Sequence, residues 1–274
     1  MTTPITNLIL DMDGVLWRGD TPMPGLVDFF TMLRRTGIGF VLATNNATKT
    51  AAMYTAKLAR FGVDVPPERI LTSAEATASH MAEQYPSGTE IYVVGDKGLH
   101  EAMIARGFRP ITPQDVRAGR SAAFVVVGFT PHATYEDLAM GSLLVHRGVR
   151  FIGTNPDPSY PSEIGPLPGA GALIAVIQTA TGVEPTLIGK PGPIVFQEAV
   201  KRLGGDPQGV AMVGDRLSTD IYGAKAAGLR AVLVLTGIST REEVTLSPIK
   251  PDYIFADITA LAYYLEHEQA AAYV

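Results

Sequence analysis

The chain has no cysteine among its 274 residues. Disulfides, thiolate catalysis and cysteine-ligated zinc are therefore excluded. It also lacks any basic tract: 22 Lys and Arg stand against 27 Asp and Glu, a net charge of −5. That balance speaks against nucleic acid as a partner. An anionic ligand would have to be held by a local site, not by a broad positive field. No apolar run approaches the roughly 20 residues that span a bilayer. Met1-Thr2-Thr3-Pro4 has neither the basic segment nor the apolar core of a signal peptide. No repeat and no low-complexity segment stands out. The expectation is a soluble, cytoplasmic protein without a membrane partner.

What is present is a large apolar fraction, 46% against 18% charged, enough for a sizeable core. The chain is organised around Asn7-Leu8-Ile9-Leu10-Asp11-Met12-Asp13-Gly14-Val15. An unbroken apolar run of this length reads as a strand buried on both faces. Asp11 and Asp13 leave its carboxyl end, where ligands bind in open parallel sheets. Two residues apart on a continuing strand, they point the same way. Like charges so placed are costly unless a cation lies between them or one is protonated. Hard oxygen ligands at an open site suit Mg²⁺. The plainer reading of such an Asp is a helix cap or a turn.

Trp17 to Gly25 is rich in Gly and Pro and reads as a loop over the strand end, with Trp17 either walling the site or packing there. Leu26, Phe29, Phe30 and Leu33 lie at the spacing of one helix face, and Gly37 is a plausible stop. A second strand, Ile38 to Ala43, ends in Thr44-Asn45-Asn46. A hydroxyl and two amides there can hydrogen-bond phosphate oxygens without adding charge. They can equally cap the helical pattern from Thr48 to Leu58. Arg69 to Ser73 reads as a third short strand.

From about Thr77 a separate β-α-β-α-β series begins. Its strands are predicted at Ile91–Val94, Ala122–Val127 and Arg150–Gly153, with helices over Leu99–Arg106 and Tyr135–Arg147. It is large enough to form a small domain of its own. Its closing stretch, Thr154-Asn155-Pro156-Asp157-Pro158-Ser159-Tyr160-Pro161, is stiffened by its prolines and is either functional or structural. Helices follow over Ala172–Thr181 and Ile194–Leu203. The outer pattern is expected to resume at Thr186 with a short strand ending in Gly189-Lys190-Pro191. Val210-Ala211-Met212-Val213 is another buried-strand pattern and ends in Gly214-Asp215, with Asp220 five residues on. Two further strands, Ala231–Leu235 and Tyr253–Phe255, close the pattern. The predicted fold class is α/β: a Rossmann-like doubly wound parallel sheet interrupted by an inserted α/β cap domain. The expected boundaries are 1–76, 77–185 and 186–274.

Collected at strand ends are Asp11, Asp13, Thr44, Asn45, Lys190, Asp215 and Asp220. Several carboxylates with one Lys describe a divalent-cation site with room for a phosphoryl group. Phosphoryl transfer needs an in-line nucleophile, neutralised oxygens and an acid for the leaving group. Asp11 suits the nucleophile, giving an aspartyl-phosphate. Asp13 suits the acid and then the base. Lys190 would bridge nucleophile and phosphoryl oxygens, Asp215 would bind metal, and Asp220 would join or support it. Gly95-Asp96 also follows an apolar strand, and periodicity does not separate it from Gly214-Asp215.

Taken together, these residues resemble the haloacid dehalogenase superfamily. Asp11-Met12-Asp13-Gly14-Val15 matches its first motif and Thr44-Asn45-Asn46 its second. Lys190 in Gly189-Lys190-Pro191 matches the third, and Gly214-Asp215 through Asp220 the fourth. The wording of Pro22-Met23-Pro24-Gly25 and of Thr219-Asp220-Ile221-Tyr222-Gly223 resembles the NagD-type, 4-nitrophenylphosphatase- and phosphoglycolate phosphatase-like branch. Ala47 departs from the Ser more often expected there. The resemblance favours Asp215 over Asp96. It implies Mg²⁺ held by Asp11, the backbone carbonyl of Asp13, and Asp215, and a C2-type cap that selects the substrate. By the same analogy Asn155, Asp157 and Ser159 would face the leaving group.

The reading is a Mg²⁺-dependent phosphatase acting on a small phosphorylated metabolite, with a homodimer possible through the cap. Thr44, Asn45, Asn46, Lys190, Asn155 and Asp157 are the expected phosphate and substrate contacts. A phosphotransferase or phosphomutase on the same site is the nearest rival. A phospho-accepting signalling module is the rival from another class, since receiver domains also place an Asp, a Thr and a Lys at strand ends. A silent binding protein is the third.

Overall fold

The computed structural model of the chain describes residues 3–162 and 164–268. The chain divides into two compact units. One is built from the segments up to Thr44, from Ala51 to Leu71 and from Phe196 onward, and the other from Asn45–Thr50 and Thr72–Val195.

The first unit carries a six-stranded sheet, ordered Tyr253–Phe255, Arg230–Val234, Val210–Gly214, Asn7–Leu10, Gly39–Thr44, Ile70–Thr72. Asn7–Leu10 pairs in parallel with Val210–Gly214 on one side and Gly39–Thr44 on the other. The strand order therefore reverses at Asn7–Leu10, making its carboxyl end the switch point of a doubly wound sheet. Leu8, Ile9 and Leu10 are fully buried, as their unbroken run predicts. Burying each contributes about 1.5–3 kcal/mol. The helix Leu26–Thr36 lays Phe29, Phe30 and Leu33 on the sheet, in one core with Leu42, Val213 and Val232. It stops at Gly37, whose φ of 72° is the left-handed conformation that terminates helices at low cost in glycine.

The second unit has its own five-stranded sheet, ordered Thr186–Leu187, Arg150–Gly153, Phe124–Val127, Glu90–Val94, Arg109–Ile111, parallel at every pairing. Tyr92, Val125, Leu144, Phe151 and Ile177 form its core. Thr186–Leu187, expected to resume the outer domain, is instead the edge strand of this sheet. Its two residues are too few to carry a period, and pairing alone decides which sheet they join. The expected boundary at 77 falls inside the helix Ser73–Ala82, which Thr72 caps by accepting from the Glu75 N–H. Arg109–Ile111 escapes a pattern reading because Pro110 sits in it, and an edge strand tolerates the missing donor. The Pro-rich stretch is partly ordered as a hairpin, with Ser159–Ser162 antiparallel to Gly165–Pro168. Among the described residues no helix is long and apolar enough to cross a membrane.

Candidate active site

In the first unit, Asp11 follows the switch-point strand, and its N–H donates to the Val213 carbonyl at 2.9 Å. The neighbouring strand Val210–Gly214 delivers Asp215 to the same end. A turn over Leu217–Ile221 then brings back Asp220, whose Oδ2 accepts from the Arg216 N–H at 3.1 Å. Asp11, Asp215 and Asp220 are all buried, and each offers a carboxylate oxygen within 4.8 Å of the others. Three carboxylates so close repel one another strongly unless a cation neutralises them. An all-oxygen donor set fits a hard divalent ion.

Asp215 is tightly held. Its Oδ2 accepts from the Ile238 N–H at 2.8 Å, and its carbonyl accepts from the Ser239 N–H at 2.9 Å. Gly14, at φ 87°, and Gly237 leave it the space it occupies: an added Cβ would stand 2.5 Å and 1.8 Å from its Oδ2. The Gly14 carbonyl accepts from the Thr236 hydroxyl at 2.6 Å, tying the first motif to the turn that follows Arg230–Val234.

Asp13 is set apart from this cluster. It is exposed, and its Oδ1 accepts from the indole N–H of Trp17 at 2.7 Å. Trp17 is fully buried, as the packing reading expects, and it also grips a carboxylate. Its ring stacks on Tyr54 with centroids 6.2 Å apart, and the Lys57 ammonium lies 4.6 Å above it. Burial, then the charge of Asp13, pushes the Tyr54 phenol above its ordinary range; Thr44 hydrogen-bonds it, which acts the other way. Thr44, buried at the end of its strand, thus meets a phenol.

In the second unit, Asn45 acts as a clamp. Its Oδ1 accepts from the Lys190 N–H at 2.8 Å, and its Nδ2 donates to the Lys190 carbonyl at 2.8 Å and to Asp157 Oδ2 at 3.1 Å. Both N–H donors of its side chain are spent in this frame, which makes that side chain a framework element. Its own carbonyl accepts from Asn155 Nδ2 at 2.8 Å and from the Ser73 hydroxyl at 2.6 Å. Asn155 Oδ1 accepts from the Asp157 N–H at 3.1 Å. Asn155 is 4% exposed with both ends of its amide engaged, which makes it part of the loop's frame. Half-buried Asp157 is tied to Asn45, while Ser159 is exposed where the hairpin begins. Asn46 folds into a local turn, accepting from the N–H and hydroxyl of Thr48, both at 2.8 Å. Lys190 is 3% exposed. Asp96 takes its plainer role: it caps the helix Lys97–Ala105 by accepting from the Lys97 N–H at 2.7 Å.

Three residues escape sequence reasoning. Tyr54 and Lys57 stand one turn apart on the helix Ala51–Arg60, but nothing local says that this face meets Trp17. Ser73 reads only as a residue near a strand end.

Against known proteins, residues 8–109 match the model of the haloacid dehalogenase-like hydrolases. Residues 187–261 match a second, HAD-hydrolase-like model. The acid sugar phosphatase of Staphylococcus epidermidis is 37% identical over 258 residues, covering 94% of this chain and 97% of that one. The chain is a haloacid dehalogenase-like hydrolase. It lies in the NagD-type, 4-nitrophenylphosphatase-like branch, and like its relatives there it is a phosphatase. The solved 4-nitrophenylphosphatase of Thermotoga maritima superposes with a TM-score of 0.88 at 38% identity, over 95% of this chain and 97% of that one. The glycerol phosphate phosphatase of Mycobacterium tuberculosis, solved with magnesium, gives 0.85 at 33% identity, over 95% of this chain and 78% of that one. The same phosphatase has also been solved with calcium.

Proposed function

We propose that this hydrolase cleaves a small sugar or polyol phosphate monoester with Mg²⁺ bound, through an aspartyl-phosphate on Asp11. The observation that carries the reading is the trio of buried carboxylates within 4.8 Å at the switch point, with the exposed Asp13 following Asp11 in the chain. Asp11, Asp215 and Asp220, with the backbone carbonyl of Asp13, would hold the cation. Bound Mg²⁺ would neutralise the carboxylates and draw charge from the phosphoryl oxygens.

An Asp11 oxygen forms the bond to phosphorus as the bond to the ester oxygen breaks. Asp13 gives its proton to that leaving oxygen, releasing an alcohol. Asp13, now a carboxylate, takes a proton from water. The resulting hydroxide attacks phosphorus, frees Asp11 and releases inorganic phosphate. By the motif resemblance Lys190 would supply the ammonium that offsets phosphoryl charge, and Asn45 fixes the backbone on both sides of it. The relatives' substrates support the substrate class: acid sugar, nitrophenyl and glycerol phosphates are all small monoesters.

Phosphate release from a panel of sugar, polyol and aryl phosphates, with Mg²⁺ and with a chelator, tests this reading. Release confined to the Mg²⁺ arm is expected, with one sugar or polyol phosphate leading. Asp11→Asn should lower turnover by at least about 10³-fold, since an amide is no nucleophile. Hydrolysis retained in that variant would exclude the covalent route. Loss of the ester without phosphate release, with a new phosphate ester formed when a second alcohol is added, would instead mark a phosphotransferase.

A further inference from the structure

We infer that Trp17 is a positioning residue for the proton-transfer step, its indole N–H aiming the Asp13 carboxylate and Lys57 holding the indole in place. The inference rests on the assignment of Asp13 as acid and base. An exposed Asp has two rotatable side-chain torsions and would sample several orientations. The 2.7 Å bond from Trp17 Nε1 to Oδ1 removes that freedom and leaves Oδ2 for the leaving oxygen and the water. A buried indole is a suitable holder, because it is a donor only and cannot take the acid's proton.

The holder is itself held. Trp17 lies in a two-residue strand, Trp17–Arg18, paired with Thr21–Pro22. One side of this hairpin is tied down by Arg18, whose Nε donates to the Thr236 carbonyl at 2.8 Å. Its tip is tied by Lys57, whose Nζ donates to the Gly19 carbonyl at 2.6 Å and lies 3.7 Å from Asp20. The same ammonium, on a side chain only 10% exposed, sits over the Trp17 ring. A cation on the π-face draws electron density from the ring and makes the N–H a stronger donor. Lys57 therefore acts on the carboxylate through the indole, without touching it.

Proton delivery matters most when the leaving group is a poor one. An alkoxide leaving group needs the acid, whereas 4-nitrophenolate leaves nearly unaided. Loss of aim at Asp13 should thus separate two substrates of one enzyme. The experiment measures kcat/KM with Mg²⁺ for glycerol phosphate and for 4-nitrophenyl phosphate, since this ratio reports steps only through cleavage of the ester bond. Trp17→Phe removes the donor and keeps a ring in place. It should lose about tenfold or more on glycerol phosphate and stay within about threefold on the aryl ester, consistent with the range of general acid catalysis. Lys57→Met keeps the stem and removes the charge, and should move the ratio the same way by about threefold. It serves as the measurement if Trp17→Phe does not fold. Equal losses on both esters, or none, would overturn the inference and leave the phosphatase reading standing. A wild-type enzyme that releases no phosphate from either ester would remove that reading, and the inference with it.

Discussion

Gly237 bears no side chain because Asp215 occupies the space: a Cβ there would stand 1.8 Å from Oδ2. The contact is with a carboxylate clamped by the Ile238 N–H, so the acid is the group that must move. Gly237→Ala is expected to cost about 1–3 kcal/mol of stability, as overpacking does. It should also raise the Mg²⁺ concentration needed for half-maximal activity by about tenfold or more, since one donor leaves a shared cluster. Titrating Mg²⁺ in the variant checks this, and an unchanged requirement would take Asp215 out of the metal site. The importance of Asp215 is legible from its place after an apolar strand. That of Gly237 is not, because its neighbour in space is 22 positions away in the chain. Trp17 shows the same limit: the sequence places it near the site, but only packing shows which atom its N–H meets.

Two short elements with similar sequence behave differently. Gly95-Asp96 and Gly214-Asp215 both end buried strands, but Asp96 turns back onto its own helix while Asp215 meets Asp11 and Asp220. Asp96→Ala should therefore cost about 0.5–2 kcal/mol, the worth of a helix N-cap. Its Mg²⁺ requirement should match the wild type; a raised requirement would reopen the assignment. The loop around Lys190 is held on both sides of that residue by the Asn45 side chain. Asn45→Ala deletes three hydrogen bonds and strips the Lys190 N–H of its acceptor. Turnover should fall by about 10- to 100-fold through misplacement of the loop. The Mg²⁺ requirement should stay the same, because Asn45 is no part of the carboxylate cluster. A variant that loses Mg²⁺ affinity and turnover together would refute the clamp.

At the scale of the whole molecule, three buried acids are gathered in one place at a cost to folding. A divalent ion that binds only the folded chain repays that cost by mass action. At about 100 times its dissociation constant it should add about 2.7 kcal/mol. For a chain of this size that is several degrees in thermal midpoint. Melting curves with Mg²⁺ and with chelator should show this rise, and Asp215→Asn should largely abolish it. An equal rise in that variant would place the stabilising ion elsewhere. The division into units belongs to this scale too. The β-α-β series of the insertion is legible because its strands are apolar runs bounded by turns. Its edges are not, because Thr186–Leu187 pairs with Arg150–Gly153 and Ser73 at the helix start donates to the Asn45 carbonyl, both partners distant in the chain.

By itself the sequence determined the apolar strands, the order in which acids and amides leave them, and so the family and its class of chemistry. All of these are local patterns, written in periodicity and in short motifs. The tertiary structure alone decided which acids lie close enough to share a cation, that the Asn45 amide holds the Lys190 backbone, and that an indole N–H donates to Asp13. Each of these depends on strand order and on hydrogen bonds between residues far apart in the chain. Pairing and packing set those contacts, and local periodicity carries no record of them.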